Sequence, residues 1–126
     1  MAGSDPLAVF DALFRHVCEE RDAVAAFALW AEDDDVTLFG SERADTARGP
    51  PAALRAHMEA IAGSAATIRF AWDDKRVHVE GDVAWVTASG TLTVDGRVGL
   101  YQVAGVLVRR AGEWRWHTFS GSEPRT

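Results

Sequence analysis

Few residues of this chain have side chains that could do chemistry, and they are scattered along its length. The histidines lie at positions 16, 57, 78 and 117. His57 is the best candidate for catalysis, because an imidazole titrates near neutral pH and can act as a general base. It lies between Leu54 and Ile61 at helical spacing, on a helix face expected to look into the fold. The alternatives are a hydrogen-bonded core histidine and one that points to solvent.

The other reactive residue types do not predict a metal site or a nucleophile. Hard cations need several oxygen ligands that converge from spaced positions. The aspartates at 33–35 are consecutive, so we interpret them as the solvated exit of a helix. The histidines show no paired ligand spacing, so we expect no metal and no cofactor. Cys18 precedes two glutamates, which would raise its pKa, and we interpret it as a small packed residue.

Aromatic and hydroxyl side chains offer a binding site instead. Five tryptophans are many for 126 residues, and flat rings bind apolar ligands well. Trp30, Trp72 and Trp116 are expected to line a cavity, with packing in the core as the alternative for each. Residues two apart share one face of a strand, so Thr118 and Ser120 are expected to lie beside Trp116 and contact a ligand. The alternative is that both hydroxyls bind backbone groups or water.

Composition limits the class of protein. A chain of 126 residues with 48% hydrophobic and 25% charged residues is typical of one folded domain. The net charge of −6 repels phosphate backbones, so nucleic acid is an unexpected partner. The longest apolar run, at 23–31, is too short to cross a bilayer. A single cysteine and a start without a signal-peptide pattern favour a cytoplasmic protein with no membrane partner.

The first half of the chain predicts three helices and one short strand. Asp5 and Pro6 form a helix start, and apolar residues then recur at helical spacing as far as Cys18. Asp22 is a second N-cap, before a helix at 23–30. A short strand is expected at 36–39 and an irregular stretch at 41–48. The third helix begins at Pro50-Pro51 and ends at Gly63.

The second half predicts four strands joined by tight turns. They lie at 67–79 with an interruption at 73–75, at 83–94, at 97–110 and at 114–120. Asp95-Gly96 is the strongest hairpin signal, because a type I′ turn needs a positive φ at both central residues. Long antiparallel strands must bury one face, and only the helices can cover it. The predicted fold is therefore α+β, with three helices packed on a strongly curved, mainly antiparallel sheet that forms a cone with an internal pocket.

The order and spacing of several short motifs resemble SnoaL-like members of the nuclear transport factor 2-like superfamily, which has the cystatin-like cone fold. The motifs are Asp22, WAEDDDV at 30–36, RG at 48–49, GDVAWV at 81–86, GEWRW at 112–116 and SEP at 122–124. The resemblance covers nearly the whole chain as a single domain, 1–126. It implies a deep apolar pocket inside the cone and dimerisation through the sheet. Relatives include ketosteroid isomerases, polyketide cyclases, dehydratases, epoxide hydrolases and non-enzymatic modules, so function must be argued from the site.

This chain departs from its relatives at the positions that carry chemistry. The resemblance places Phe14 where ketosteroid isomerases have a tyrosine, and Leu38 where they have the aspartate base. Ser120 replaces a last-strand histidine, and Val103 and Gly105 replace an arginine and a threonine of the preceding strand. Ketosteroid isomerase chemistry is therefore not expected, and Leu38 is expected to be an apolar part of the pocket wall.

Two functions remain open from the sequence. The first is a protein that binds a small apolar or carbonyl-containing molecule, with simple acid–base chemistry of isomerase, cyclase or dehydratase type if His57 moves a proton. The second is a non-catalytic homodimerisation or interaction module with a filled interior. The sheet face of Ala84, Val86 and Ala88, or the opposite set, would supply the dimer interface in either case. An open cavity with a hydrogen-bonding group at its end favours the first function.

Overall fold

A computed structural model describes residues 5–42 and 45–124 of the chain. Over these residues the helices are α1 (Pro6–Phe14), α2 (Ala23–Phe27) and α3 (Pro51–Ala62). The strands are β1 (Thr37–Phe39), β2 (Thr46–Arg48), β3 (Ile68–Glu80), β4 (Val83–Val94), β5 (Arg97–Arg110) and β6 (Glu113–Ser122). The predicted α+β class is confirmed. None of the described helices is both long and apolar enough to span a membrane.

The helices begin where the capping residues predict. The Asp5 carboxylate accepts a hydrogen bond from the Leu7 N–H at 3.1 Å, and the Asp22 carboxylate accepts one from the Ala25 N–H at 3.0 Å. Each bond satisfies an amide at a helix start that has no partner within the helix. A π-helical turn at Arg15–Glu19 continues α1 towards α2.

The second helix is shorter than predicted because the chain after it joins the sheet. Trp30 forms an isolated parallel bridge with Trp116. The Trp116 N–H donates to the Leu29 carbonyl at 2.7 Å, and the Ala31 N–H donates to the Trp116 carbonyl at 2.8 Å. These bonds connect 29–31 to β6, so α2 ends at Phe27 instead of continuing to residue 30.

Arg21 connects the junction between α1 and α2 to the end of α3 through hydrogen bonds. Its φ of 56° lies in the left-handed region, which non-glycine residues rarely adopt. Its guanidinium donates to the carbonyls of Ile61 at 3.3 Å and Ser64 at 2.9 Å, and also to that of Ala66. A charged donor on several carbonyls at a helix C-terminus is a favourable arrangement.

The six described strands form one mixed sheet in the order β2-β1-β6-β5-β4-β3, in which β1 runs parallel to β6 and the other neighbours are antiparallel. The turn between β4 and β5 has positive φ at Asp95 and Gly96, as predicted. The predicted interruption of β3 is a register shift between Trp72 and Asp74. β2 falls in the stretch predicted as irregular, of which 43–44 lie outside the described residues; its three residues complete the edge beside β1.

Inward and outward sides of the sheet are clear from burial. Ala84, Val86 and Ala88 point inward and are at most 3% exposed, so the opposite set of β4 faces outward. Val106 of β5 pairs with Thr118 of β6, but the next residue of β5, Leu107, pairs with Trp116. His117 is therefore an extra residue in β6 and forms a bulge.

This bulge reverses the alternation of side chains in the last strand. Trp114 and Trp116 point inward before it, and Phe119 points inward after it, at 6% exposure. The prediction that Thr118 and Ser120 share the inward face of Trp116 is therefore wrong, and Ser120 is exposed to solvent. A period of two holds only where no extra residue interrupts the ladder.

Candidate functional site

A cavity of about 210 Å³ lies between the helices and the inward face of the sheet. Its wall combines α1, the π-helical turn, β1, α3 and strands β3 to β6. The apolar lining residues are Leu13, Phe14, Val17, Leu38, Met58, Ile61, Ile68, Phe70, Leu92, Val94 and Phe119. The remaining lining residues are Cys18, Gly40, Ser41, Asp45, His57 and Tyr101. The site is thus an apolar chamber with a small set of polar groups, which is the usual construction of a small-molecule site.

Tyr101 supplies a neutral hydrogen-bond donor to this cavity. Its ring packs against Phe70 with centroids 5.2 Å apart, and its hydroxyl occupies the space that a side chain at Gly121 would need. Burial raises the pKa of Tyr101 to about 12, and the nearby Glu123 and Asp45 carboxylates add to the increase. The phenol is therefore protonated at physiological pH.

His57 lies on α3, one turn after the fully buried Leu54 and next to the buried Met58. It lines the cavity and is half-buried, as expected for the best candidate of the sequence. Burial lowers the pKa of His57 below its ordinary value of 6.5, and the Asp45 carboxylate opposes this shift. The imidazole is therefore neutral near pH 7 and can accept a proton.

Cys18 also lines the cavity, from the π-helical turn. Burial raises the pKa of its thiol to about 11; Arg21 lowers this pKa and Glu19 raises it. A protonated thiol is a poor nucleophile. The interpretation of Cys18 as a packed residue is consistent with this pKa and with its 8% exposure.

Trp30 and Trp116 lie in the hydrophobic core and not in the cavity wall. Trp30 and Trp116 are 2% and 0% exposed, and their rings lie 5.8 Å apart between α1 and the sheet. The Trp116 Nε1–H donates to the Val9 carbonyl at 3.3 Å. Neither lines the cavity, and neither do Thr118 and Ser120. Of the residues expected to contact a ligand, the structure brings His57 and Leu38 together in the cavity wall.

Trp72 lines a second cavity, of about 220 Å³, between α1, the π-helical turn and β3. Phe70, Phe14, Cys18 and Ile68 line both cavities. The rest of the second wall is charged: Asp11, Arg15, Glu19 and Arg69. The Lys75 ammonium donates to both carboxylate oxygens of Asp11 at 2.9 Å.

A separate polar cluster lies away from both cavities. Side-chain atoms of Asp33, Asp35 and His117 come within 4.8 Å of one another, a set that sequence spacing did not reveal. His117 Nε2 lies 2.9 Å from an Asp35 oxygen, and Arg110 donates to Asp33 at 2.9 Å. The hydrogen bond with His117 is the main cause that lowers the pKa of Asp35. Because His117 is hydrogen-bonded to Asp35 and Arg110 to Asp33, the cluster connects the segment after α2 to β5 and β6.

Comparison with known proteins gives the family and the fold. The model of the SnoaL-like domain family matches residues 7–125. No curated protein matches the chain.

Several solved structures are similar along nearly the whole chain. An NTF2-like protein of unknown function from Pseudomonas putida is 21% identical, with a TM-score of 0.77 over 94% of this chain and 83% of that one. A protein of Streptomyces avermitilis provisionally named a dehydratase is 20% identical, with a TM-score of 0.78 over 98% and 96%. A protein of Parabacteroides distasonis provisionally named a ketosteroid isomerase is 19% identical, with a TM-score of 0.73 over 95% and 88%. At these identities the likeness shows a shared fold.

Proposed function

Because this chain belongs to the SnoaL-like domain family, we propose that it binds a small, neutral, largely apolar molecule in its interior cavity. Tyr101 donates a hydrogen bond to a carbonyl or hydroxyl oxygen of that molecule. One observation carries the proposal: the phenol, with a pKa raised to about 12, is a protonated donor in the wall of an otherwise mostly apolar cavity. A ligand oxygen that accepts a hydrogen bond from this phenol would be held in a mostly apolar surrounding.

The volume of the cavity limits the size of the ligand. An engineered cavity of about 150 Å³ in another protein holds benzene. The cavity here, at about 210 Å³, has room for one ring with a short substituent. A single-ring ketone such as acetophenone matches both the volume and the single strong donor.

Charge favours a neutral ligand over an anion. Asp45 lines the cavity, and the Glu123 carboxylate lies close enough to raise the pKa of Tyr101. Two carboxylates near the donor would repel a carboxylate or phosphate ligand. The net charge of −6 acts in the same direction at longer range.

The test of the proposed function compares a ketone with its hydrocarbon isostere. Acetophenone should bind wild-type protein more tightly than α-methylstyrene, which has the same shape and no acceptor oxygen. Tyr101→Phe should weaken the binding of acetophenone about fivefold, because a hydrogen bond contributes roughly 1 kcal/mol. The affinity for α-methylstyrene should not change. Isothermal titration calorimetry measures both. Equal loss for the two ligands, or no binding of either by wild type, would contradict the proposal.

His57 adds a proton-transfer step to this proposal. Its imidazole is neutral near pH 7 and lines the same cavity as the Tyr101 hydroxyl. A base near a carbonyl whose oxygen accepts a hydrogen bond can remove a proton from the adjacent carbon, the first step of many isomerisations and dehydrations.

Exchange of the methyl protons of acetophenone in D₂O, followed by NMR, tests this step. Wild-type protein should accelerate the exchange, and His57→Gln should remove most of that acceleration, about a hundredfold. Because the pKa of His57 lies below 6.5, the rate should be near its maximum at pH 7 and fall as the imidazole becomes protonated at lower pH. His78→Gln, on the outward side of β3, is the control. An unchanged rate in His57→Gln would leave binding as the whole function.

We also propose that the partner is a second copy of this chain, bound through the outward side of the sheet. The outer face consists of the outward-pointing residues of β4, of β5 from Val98 to Val106 and of the end of β6: Val83, Trp85, Thr87, Ser89, Thr91, Thr93, Val98, Leu100, Gln102, Ala104, Val106, Thr118, Ser120 and Ser122. None of them is charged, in a chain with 25% charged residues. Trp85 and Leu100 are each 44% exposed.

An uncharged face of this extent needs an uncharged partner surface. Within the described residues, the outer face itself meets that need, and a twofold axis would bring two copies of it together. The non-catalytic module remains the second candidate function, and this face is the observation that favours it.

The single free thiol of Cys18 agrees with the proposed cytoplasmic location.

A further inference from the structure

The two cavities described above are neighbours and share aromatic lining residues. Phe14 and Phe70 line both, with ring centroids 4.7 Å apart. Phe14 comes from the end of α1 and Phe70 from β3, so the partition joins a helix to the sheet. Removal of the Phe14 ring would enlarge the space on both sides of the wall that the cavities share.

We infer that Phe14 determines ligand specificity by limiting the length of the molecule that the first cavity accepts. This inference rests on the proposed function and adds a specificity residue to it. The ring of Phe14 is part of the wall that the two cavities share, so in this inference it limits how far a ligand in the first cavity extends towards the second.

Packing holds the Phe14 ring in this position. It lies 5.1 Å from the Phe10 ring, 5.2 Å from the Trp72 ring and 6.1 Å from the Phe119 ring, and the residue is 8% exposed. Contacts from several sides leave a side chain little freedom to move away. The limit on ligand length is therefore a fixed property of the site.

The second cavity is suited to the part of a ligand that Phe14 excludes. Trp72 and Phe70 are stacked, with an angle of 19° between ring planes, and offer an aromatic surface. Arg69 and Glu19 stand at its wall and would contact the far end of an extended molecule. A two-ring ketone could then place its oxygen at Tyr101 and its second ring on Trp72.

Binding of acetophenone and 2-acetonaphthalene to wild type and to Phe14→Ala tests the inference. Wild type should bind acetophenone and discriminate against the two-ring ketone, although the latter is more hydrophobic. Phe14→Ala should bind 2-acetonaphthalene about tenfold more tightly than wild type does, because the second ring gains a buried apolar surface. Phe14→Leu keeps more of the packing and should change affinity in the same direction by a smaller factor.

Val9→Ala is the control: a truncation in the same helix, at a fully buried residue that lines neither cavity. It should gain no affinity for 2-acetonaphthalene. Circular dichroism checks that each variant is folded, and Phe14→Leu replaces Phe14→Ala if the latter is not. If wild type binds neither ketone, the proposed function itself fails. If wild type binds acetophenone and the folded Phe14 variants gain nothing for the two-ring ketone, the inference about Phe14 alone is wrong.

Discussion

Replacing Trp116 by alanine should lower the free energy of unfolding by about 3–5 kcal/mol. The side chain is fully buried, and its ring centroid lies 5.5 Å from those of both Phe10 and Phe119. It also covers Gly105, where a Cβ would approach the indole to 2.6 Å. The substitution leaves a large cavity among groups that cannot close over it, and the Val9 carbonyl loses its donor.

Urea denaturation followed by circular dichroism measures this loss. Total stability of a domain this size is about 5–15 kcal/mol, so the variant should be close to unfolding. Val24→Ala is the control, because Val24 is 82% exposed on α2 and its truncation should cost less than about 0.5 kcal/mol. A loss below about 1 kcal/mol for Trp116→Ala would show that the indole is not the centre of the core.

Replacing Trp85 by arginine should convert the proposed dimer to monomers. Trp85 lies on the outer face opposite Val106 of β5, and the His78 ring packs on it at 4.7 Å. A twofold interface contains the substitution twice, so a loss of about 2 kcal/mol per tryptophan weakens association about a thousandfold. The introduced guanidinium would also be buried without a partner.

Analytical ultracentrifugation over a range of concentrations tests the dimer. Wild type should sediment as a dimer at micromolar concentration and Trp85→Arg as a monomer, whereas Val24→Arg on α2 should remain dimeric. The free energy of unfolding of isolated monomers should change little, because Trp85 is exposed in a single chain. A monomeric wild-type protein, or a dimer that tolerates Trp85→Arg, would reject the outer face as the interface.

Local chemistry made most of the fold predictable. The Asp5 and Asp22 caps, the Asp95-Gly96 turn and the lengths of β4 and β5 each depend on neighbours in sequence. Elements that depend on distant partners were missed. β2 forms because β1 offers it an edge, and α2 ends early because Trp30 pairs with Trp116.

The candidate site was harder to predict because it depends on which face of each strand is buried. A single bulge at His117 moves Thr118 and Ser120 off the inward face. No glycine or proline lies at 114–120 to mark this bulge in the sequence. Tyr101 and Leu100 are adjacent large residues, so alternation alone could not decide which of them points inward. Register with β4 decides it, since Tyr101 lies opposite the buried Gly90.

Two of the residues that depart from the family pattern lie in the wall of the cavity. Phe14 and Leu38, the positions at which the resemblance implies a tyrosine and an aspartate in ketosteroid isomerases, both line the cavity. Apolar groups therefore occupy the places where those enzymes have a donor and a base. In the proposed function Tyr101 and His57 are the donor and the base, from β5 and α3, so the proposed proton transfer would use a different arrangement of groups.

The central claim is that the interior cavity holds a small neutral ligand against Tyr101. Isotope-filtered NOE spectroscopy tests it most directly, with unlabelled acetophenone and protein labelled at its methyl groups. The account predicts transfer from the ligand protons to the methyls of Leu38, Met58 and Leu92, which line the cavity. Transfer to Val83 and Val98 on the outer face, without any to the cavity residues, would contradict it.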